Sequence, residues 1–462
     1  MTYWTRTSLW RLLALLCAFV LIAAACSSGD DDDDAAIQTN EPAATTAPEP
    51  EPEANATPAT AEPAPQEVDE EPPVEMDFSS GPADDSLEPV RIGLLNQEND
   101  VIGSFPEFRL GVEGAVAYLN AENGGINGHP IEIVSCVQNG VEKAQECAQE
   151  LASSDLVSLM NGVNIWTFAF DFYATMGDTP IIGGLPLFAS DYNQPNARYF
   201  NGGSISIYAA MARFAAEELG AKKVAVLVNS NPAADAAVAD GLAPIFEQFG
   251  IEFVNINVPL PLTDAIPAMS EVPDDADLVM LLAAQNEWIP VIRAASQLGI
   301  EPERMFYSGT CAAADVYAEV GDLIVGSWMA RGGFVNEDPW APQEVKDLLA
   351  QFEANIEVYA PEAPDAVFTS LGWATLNDLH DLYEEIGFEN LANPANIFAA
   401  MDDGQSRGRV GSYGWSCIYE DAGLVSLCSG DNLFVEIADS DGNSLPPVND
   451  GAYVNGLSLL EG

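Results

Sequence analysis

Residues 115–134 read AVAYLNAENGGINGHPIEIV, and almost every position in them has a structural job. Ala115, Val116 and Leu119 continue a helical spacing that begins at Phe108, Leu110 and Val112. Gly124-Gly125 supplies the positive φ that ends a helix and turns the chain. Ile126 is placed to plug a core, and Gly128 with Pro130 sets a second turn. Ile131-Glu132-Ile133-Val134 then starts a strand. Upstream, Val90 to Leu95 is a short apolar strand, so the stretch closes a β-α-β unit.

The alternation continues on both sides of that unit. Helices are expected at Val141–Leu151 and Trp166–Met176, and strands at Asp155–Met160 and Thr179–Ile182. The pattern restarts after about Ser206. Tyr208–Leu219, Ala234–Phe249 and Trp288–Leu298 read as helices, with strands at Lys223–Val228, Glu252–Val258, Leu278–Leu282 and Met305–Ser308. Near-continuous apolar strands between amphipathic helices indicate parallel sheets covered on both faces. Two such runs predict an α/β protein of two Rossmann-like lobes. Later helices at Gln343–Ala354 and Asp365–Ile386, and a hairpin-like end over Gly414–Val435, imply a multi-crossover hinge. The expected lobes are residues 89–206 with 331–408, and 207–330 with 409–462.

The N-terminus is of another kind. Arg6 and Arg11 precede the apolar run Leu12–Ile22, and Ala23-Ala24-Ala25 leads into Cys26. A charged start, a short apolar middle and small residues make a secretory signal over residues 1–25. The run is shorter than the roughly 20 residues that span a bilayer. A cysteine directly after the small residues resembles a bacterial lipoprotein signal, in which the thiol of Cys26 is lipidated. Residues 26–88 carry the acidic block Asp30–Asp34 and Pro-Glu repeats such as Pro48–Glu53, without Lys or Arg. Such composition cannot bury enough apolar surface to offset chain entropy, and is expected to form an extended tether.

The formal net charge is −57, from 72 acidic and 15 basic side chains. Nucleic acid and a polybasic attachment to anionic lipid are excluded as partners, because both need clustered Lys and Arg. Acidity of this kind suits concentrated salt, and it also suits an ordinary acidic secreted protein. Beyond Cys17 and Cys26 the cysteines are Cys136, Cys147, Cys311, Cys417 and Cys428. Outside the cytoplasm disulfides are expected. Cys136–Cys147 would join a strand end to the next helix, and Cys417–Cys428 would staple the terminal hairpin, leaving Cys311. His129 and His380 are the only histidines, and no CxxC pair occurs, so neither a metal site nor a cofactor is expected. No nucleophile elbow or phosphate loop points to an enzyme.

The GGI-turn stretch resembles the first β-α-β unit of type I periplasmic substrate-binding proteins. It is most similar to the leucine/isoleucine/valine-binding group of ABC-transporter receptors. Val90–Leu94, Thr179–Ile182, Lys222–Leu227 and Ile292–Ile300 are similar to the matching strands and helix of that group, in order. Cys136, Ala144, Cys147, Ala148 and Leu151 resemble its second helix, which often carries a disulfide. The resemblance implies a monomeric bilobed clamp that binds a small molecule between its lobes and presents it to a membrane permease. A lipoprotein of the same fold that senses a ligand and signals to a membrane partner is the alternative.

Carried over position by position, the resemblance places the ligand against loops that follow the strands. In the first lobe these offer Phe105, Asn161, Asn164, Trp166, Thr167, Leu185 and Leu187. In the second they offer Asn229, Asn231, Gln285 and Thr310. The hydroxyl run, the tyrosines and the carboxylate usual in amino-acid binders are missing from these positions. The loops therefore read as uncharged, polar and aromatic. They suit a small neutral or weakly anionic ligand such as an amide, a carboxylic acid or an aromatic compound, and an unpaired ammonium there would be costly.

Overall fold

The computed structural model describes residues 81–100, 103–259, 262–282, 287–308, 316, 319–331, 343–364, 366–404, 415–417, 424–428 and 434–437. The expected leader, Cys26, the tether as far as residue 80, and Gln285, Thr310 and Cys311 lie outside the described residues.

Val90–Gln97 forms β1, Pro106–Glu122 α1, Ile131–Gln138 β2, Val141–Ala152 α2, Ser158–Asn161 β3, Phe172–Met176 α3, Ile181–Gly184 β4 and Ala197–Arg198 β5. These strands make one sheet in the order β2-β1-β3-β4-β5, and every pair is parallel. Gly203–Glu217 (α4) leads into the second run. There follow β6 (Lys223–Asn229), α5 (Pro232–Ala236), α6 (Ala243–Gln248), β7 (Glu252–Val258), α7 (Ile266–Met269), β8 (Leu278–Leu282), α8 (Trp288–Leu298), β9 (Met305–Ser308) and β10 (Trp328–Arg331). The second sheet runs β11-β10-β9-β8-β6-β7, with β11 at Phe434–Ile437. Its pairs are parallel except β10 with β11. Every residue of β1 but Arg91 is buried, as a strand covered on both faces requires.

The GGI turn does what its residues dictate. Gly124 and Gly125 have φ of 72° and 63°, and a Cβ on Gly125 would stand 2.0 Å from the His129 carbonyl oxygen. Ile126 is fully buried in the first core. Burying such a side chain stabilises the fold by about 2 kcal/mol. The Gly125 carbonyl lies 3.0 Å from Nε2 of buried His380, which ties the turn to a late helix.

That late helix explains the return of the chain. Gln343–Tyr359 (α9), Val367–Ile386 (α10) and Pro394–Asp403 (α11) follow β10 in sequence, yet side chains of all three belong to the first core. Helix α10 crosses α1 backbone to backbone. A Cβ on Gly111 would stand 2.1 Å from Thr369 O, and one on Gly372 2.1 Å from Phe108 O. Only glycine permits this approach.

Four expectations need correction. The helix expected over Trp166–Met176 is a 3-10 turn, Ile165–Ala169, followed by α3. Phe170 is extended between them, and Asp171 caps the second piece through the Ala174 N–H, so the spacing is interrupted. The expected tether ends early. Gly81 N–H donates to Glu122 O and Ala83 N–H to Asn120 O, both on α1, and Asp84 N–H donates to Gly128 O. The end of the chain is not a simple hairpin among the described residues, because β11 takes β10 as its antiparallel partner. Nor does everything after residue 409 join the second lobe. Trp415 and Cys428 are buried in the first core. Tyr199 N–H donates to Ser426 O and Cys428 N–H to Tyr199 O, which satisfies backbone groups just beyond β5. Both expected disulfides are present, Cys136–Cys147 and Cys417–Cys428, with Cα atoms 5.6 Å and 4.0 Å apart.

Candidate functional site

In parallel sheets the open ends of the strands carry the ligand-facing loops. In the first lobe these ends are joined by buried side chains. Gln138, at the end of β2, donates through Nε2 to Gln97 Oε1 at 3.0 Å and to Asn164 Oδ1 at 2.9 Å. Gln97 Oε1 also accepts the Ile165 N–H, and Asn96 Oδ1 accepts the Val163 N–H. Asn161 donates to the Tyr199 hydroxyl at 3.5 Å. Tyr199 and Tyr173 share a hydroxyl hydrogen bond, and Tyr173 donates to Asp191.

Buried Asp191 anchors the loop after β4. Its Oδ2 accepts the N–H groups of Leu187 and Phe188 at 2.8 Å and 2.9 Å. Burial pushes its carboxyl above the ordinary value despite these bonds. The Pro186 carbonyl accepts from Ser204 N–H and the Tyr192 hydroxyl, and Ser204 Oγ donates to Leu187 O at 2.6 Å. The loop carrying Leu185 and Leu187 is thereby fastened to the start of α4, where the chain leaves the first lobe.

Each expected ligand residue within the described part of the chain has a defined place. Phe105 meets Phe368 edge to face at 5.4 Å and packs on the first core. Asn164 is buried and uses its oxygen on the Trp166 N–H, capping the 3-10 turn. Thr167 is buried too, and its hydroxyl donates to Asn164 O. Trp166 is half-buried, and its Nε1 donates to Asp100 Oδ2 at 2.6 Å. In the second lobe, Asn231 Oδ1 accepts the Ala234 N–H and starts α5. Asn229 donates through Nδ2 to Glu287 Oε2. Helix α5 touches the Ile165–Ala169 turn, so the loops after β3 and β6 meet across the two lobes.

The expectation of uncharged loops does not hold. Asp100 and buried Glu287 bring carboxylates to strand-end loops of the first and second lobe, respectively. Glu98, also buried, forms a bidentate pair with Arg109 at 2.7 Å and 3.1 Å. That hydrogen bond raises the guanidinium's pKa. Reading each loop only next to its own strand missed these side chains. Glu287 directly precedes α8, and Asp100 follows β1 at a distance. The usable signal was an acidic residue just before an apolar helix. A surface hollow of about 700 Å³ on the first lobe, bordered by Asp171, Tyr173, Asn196, Pro394 and Phe398, contains none of the expected ligand residues. Among the described residues, no group of three or more His, Cys, Asp or Glu side chains could hold a metal.

A family profile described as periplasmic binding protein matches residues 89–417. The chain belongs to the periplasmic binding protein family. Solved structures share its type I fold. A possible leucine/isoleucine/valine-binding protein from Rhodopirellula baltica is 14% identical, over 78% of this chain and 96% of its own, with a TM-score of 0.62. The branched-chain amino acid transporter substrate binding protein LivJ from Streptococcus pneumoniae, in complex with isoleucine, is 16% identical over 78% and 99%, at 0.58. An ABC-transporter solute binding protein from R. palustris in complex with benzoate is 18% identical over 80% and 97%, at 0.60. A search of curated proteins found no significant match. Periplasmic binding proteins are binding proteins and not enzymes, and they act outside the cytoplasm.

Proposed function

We infer that the protein is a lipid-anchored receptor of an ABC importer. It captures a small solute between its lobes and delivers it to a membrane permease. The single supporting observation is the contact of α5 with the Ile165–Ala169 turn, which sets the ligand-facing loops of the two lobes against each other. Closure of the lobes about a hinge is the ordinary way such a clamp captures its ligand. The solute is amino-acid-like or an amide rather than a free carboxylic acid. Asp100 on one side and Glu287 on the other repel an anion and favour a donor or a cation. Phe105, Asn161, Asn164, Trp166, Thr167, Leu185, Leu187, Asn229, Asn231, Gln285 and Thr310 form the proposed lining. Cys26 is the proposed lipid attachment, residues 26–80 the tether, and the receptor works as a monomer.

Native mass spectrometry of the purified chain, with release and identification of any retained molecule, tests this reading. A retained amine or amide is the expected result. Turnover of the bound molecule would overturn it, and so would retention of a simple carboxylic acid. Cys26→Ser is expected to move the protein from the membrane fraction to the soluble one.

A further inference from the structure

Asp191 is buried, and its hydrogen-bond partners are neutral. Its Oδ2 accepts the N–H groups of Leu187 and Phe188, and its Oδ1 accepts the Tyr173 hydroxyl of α3 at 2.8 Å. Ser190 adds a side-chain bond from the same turn. The Tyr199 hydroxyl lies beyond Tyr173, 2.7 Å from it, and Tyr192 follows Asp191 in sequence. Charged groups around the cluster are paired or exposed. Arg198, beside Tyr199, pairs with Asp402 on α11. Asp171 and Asp178, on either side of α3, are exposed. So is Asp240, on the second-lobe π-helical turn Ala237–Leu242 that touches the Ala189–Asp191 turn.

The direction of every bond in this cluster is fixed from its two ends. At one end Tyr173 gives its single proton to Asp191 Oδ1, so Tyr199 must donate to Tyr173. At the other end Asn164 Oδ1 accepts the Trp166 backbone N–H and the Gln138 amide, which leaves Asn164 Nδ2 facing Asn161 Oδ1 at 3.5 Å. Asn161 Nδ2 is therefore turned toward the Tyr199 oxygen, also at 3.5 Å. Donation runs from Asn161 to Tyr199, to Tyr173 and to Asp191, and it needs a carboxylate at its end. A proton taken up by Asp191 enters on Oδ1, because two N–H groups occupy Oδ2. The chain then reverses. Asp191 donates to Tyr173, Tyr173 to Tyr199, and the Tyr199 proton meets the Asn161 amide N–H. Among the described residues the Tyr199 hydroxyl bonds to Tyr173 and Asn161 alone. Turning the Asn161 amide over only moves the conflict, since its Nδ2 would then meet Asn164 Nδ2. Either way two buried donors face each other at the base of the turn that carries Trp166, and one is left unsatisfied.

We propose that Asp191 is a positioning residue for the ligand-facing loops: as a carboxylate it sets the direction of this chain and holds the loops after β3 and β4 in one arrangement, and a proton on it reverses the chain and shifts the Trp166 turn. This rests on the solute-receptor reading above, which makes those loops ligand-facing, and adds a residue that acts on them through Asn161. Burial pushes the Asp191 carboxyl above its ordinary 3.8, against the pull of the N–H bonds, so the reversal takes place above that pH. Neutralising a buried charge favours the folded chain, so the loops respond without global unfolding.

The test uses no solute, so its failure is separate from failure of the receptor reading. Tryptophan emission of the purified full chain is titrated from about pH 8 to about pH 3.5. The same titration of Trp166→Phe is subtracted to isolate the Trp166 signal. A one-proton transition with its midpoint above pH 3.8 is expected. Asp191→Asn is expected to abolish it. So is Tyr199→Phe, which keeps the carboxylate and cuts the chain. A carboxylate that acted only on its own loop would leave the transition intact in Tyr199→Phe. Asp100→Asn is expected to keep the transition, although Asp100 bonds the indole directly. Thermal melts show which variants are folded. Absence of the transition in the wild type overturns the proposal. So does its survival in folded Asp191→Asn or Tyr199→Phe, or its loss in Asp100→Asn. If Asp191→Asn does not fold, Tyr199→Phe and Asp100→Asn decide the matter.

Discussion

The strand-end loops of the two lobes are built differently. On the first lobe, β1, β2 and β3 end in Asn96, Gln97, Gln138 and Asn161, and the turn beyond β3 adds Asn164. These side chains bond one another or the turn's backbone out of water. On the second lobe Asn231 caps its own helix, and Asn229, at the end of β6, donates to Glu287 just before α8. A cross-linked buried network holds its geometry whether or not a ligand is present, because moving one member strands several polar groups. Local caps tolerate displacement of the whole element. The first lobe's strand-end loops are thus the more cross-linked of the two among the described residues.

The most severe way to break the first lobe's side is Gly184→Val. Gly184 has φ of +102°, and a Cβ there would stand 1.7 Å from the Asn161 carbonyl oxygen. A loss above about 3 kcal/mol, or failure to accumulate soluble protein, is expected. Unfolding in urea checks it, and a near-normal midpoint would mean the β3–β4 ends are not locked together. Next come two matched caps. Asn164→Ala leaves one N–H of the Gln138 amide without its partner as well as uncapping a turn, and should cost about 2 kcal/mol. Asn231→Ala removes a cap alone and should cost about 1 kcal/mol. Equal costs in urea titrations would erase the contrast.

Two carboxylates sharpen the comparison through pH. Burial raises the pKa of Asp191 above its ordinary 3.8, so the folded chain holds this proton more tightly than the unfolded chain does. Its contribution to stability is therefore greatest below pH 3.8 and falls as pH rises through the higher folded value. Asp277, in the second lobe, accepts the backbone N–H groups of Lys222 and Lys223, and its pKa is lowered. Its contribution is present above pH 3.8 and is lost as pH falls through the lower folded value. Melting temperatures across pH should shift in opposite directions for Asp191→Asn and Asp277→Asn, relative to wild type. Shifts of the same sign would contradict the assignment.

The smallest effect is Gly241→Ala. A Cβ at Gly241 would meet only the Tyr208 ring, at 3.4 Å and beyond, which is ordinary contact. Loss of backbone freedom in the unfolded chain should stabilise the protein by about 0.5 kcal/mol, read from the urea midpoint. Destabilisation would mean the second lobe is packed as tightly here as the first.

Much of the fold was legible because its signals are local. The GGI turn, β7, β8, β9 and α8 follow from apolar periodicity and from the glycines that close it. The disulfides Cys136–Cys147 and Cys417–Cys428, expected from the segments in which their cysteines fall, are both present. The site was less legible. Asn161 at the end of β3 and Asn164 and Trp166 beyond it were identifiable, but their partners Tyr199, Gln138 and Asp100 are distant in sequence. Charge in the loops was missed for that reason, and so was the break inside Trp166–Met176, where one extended residue interrupts a good helical pattern.

By itself the sequence determined two β/α runs, an acidic N-terminal extension and the membership of β1–β4 and β6–β9 in parallel sheets. These depend on which residues bury apolar surface, a property each segment carries along its own length. Tertiary structure alone decided that α10 returns to α1 through Gly111 and Gly372, that the end of the chain pairs beside Tyr199, and that Asp100 meets Trp166 while Glu287 meets Asn229. Those are contacts between residues far apart in sequence or on separate elements. Steric fit and the need to satisfy buried polar groups select them, and neither is encoded in any single stretch.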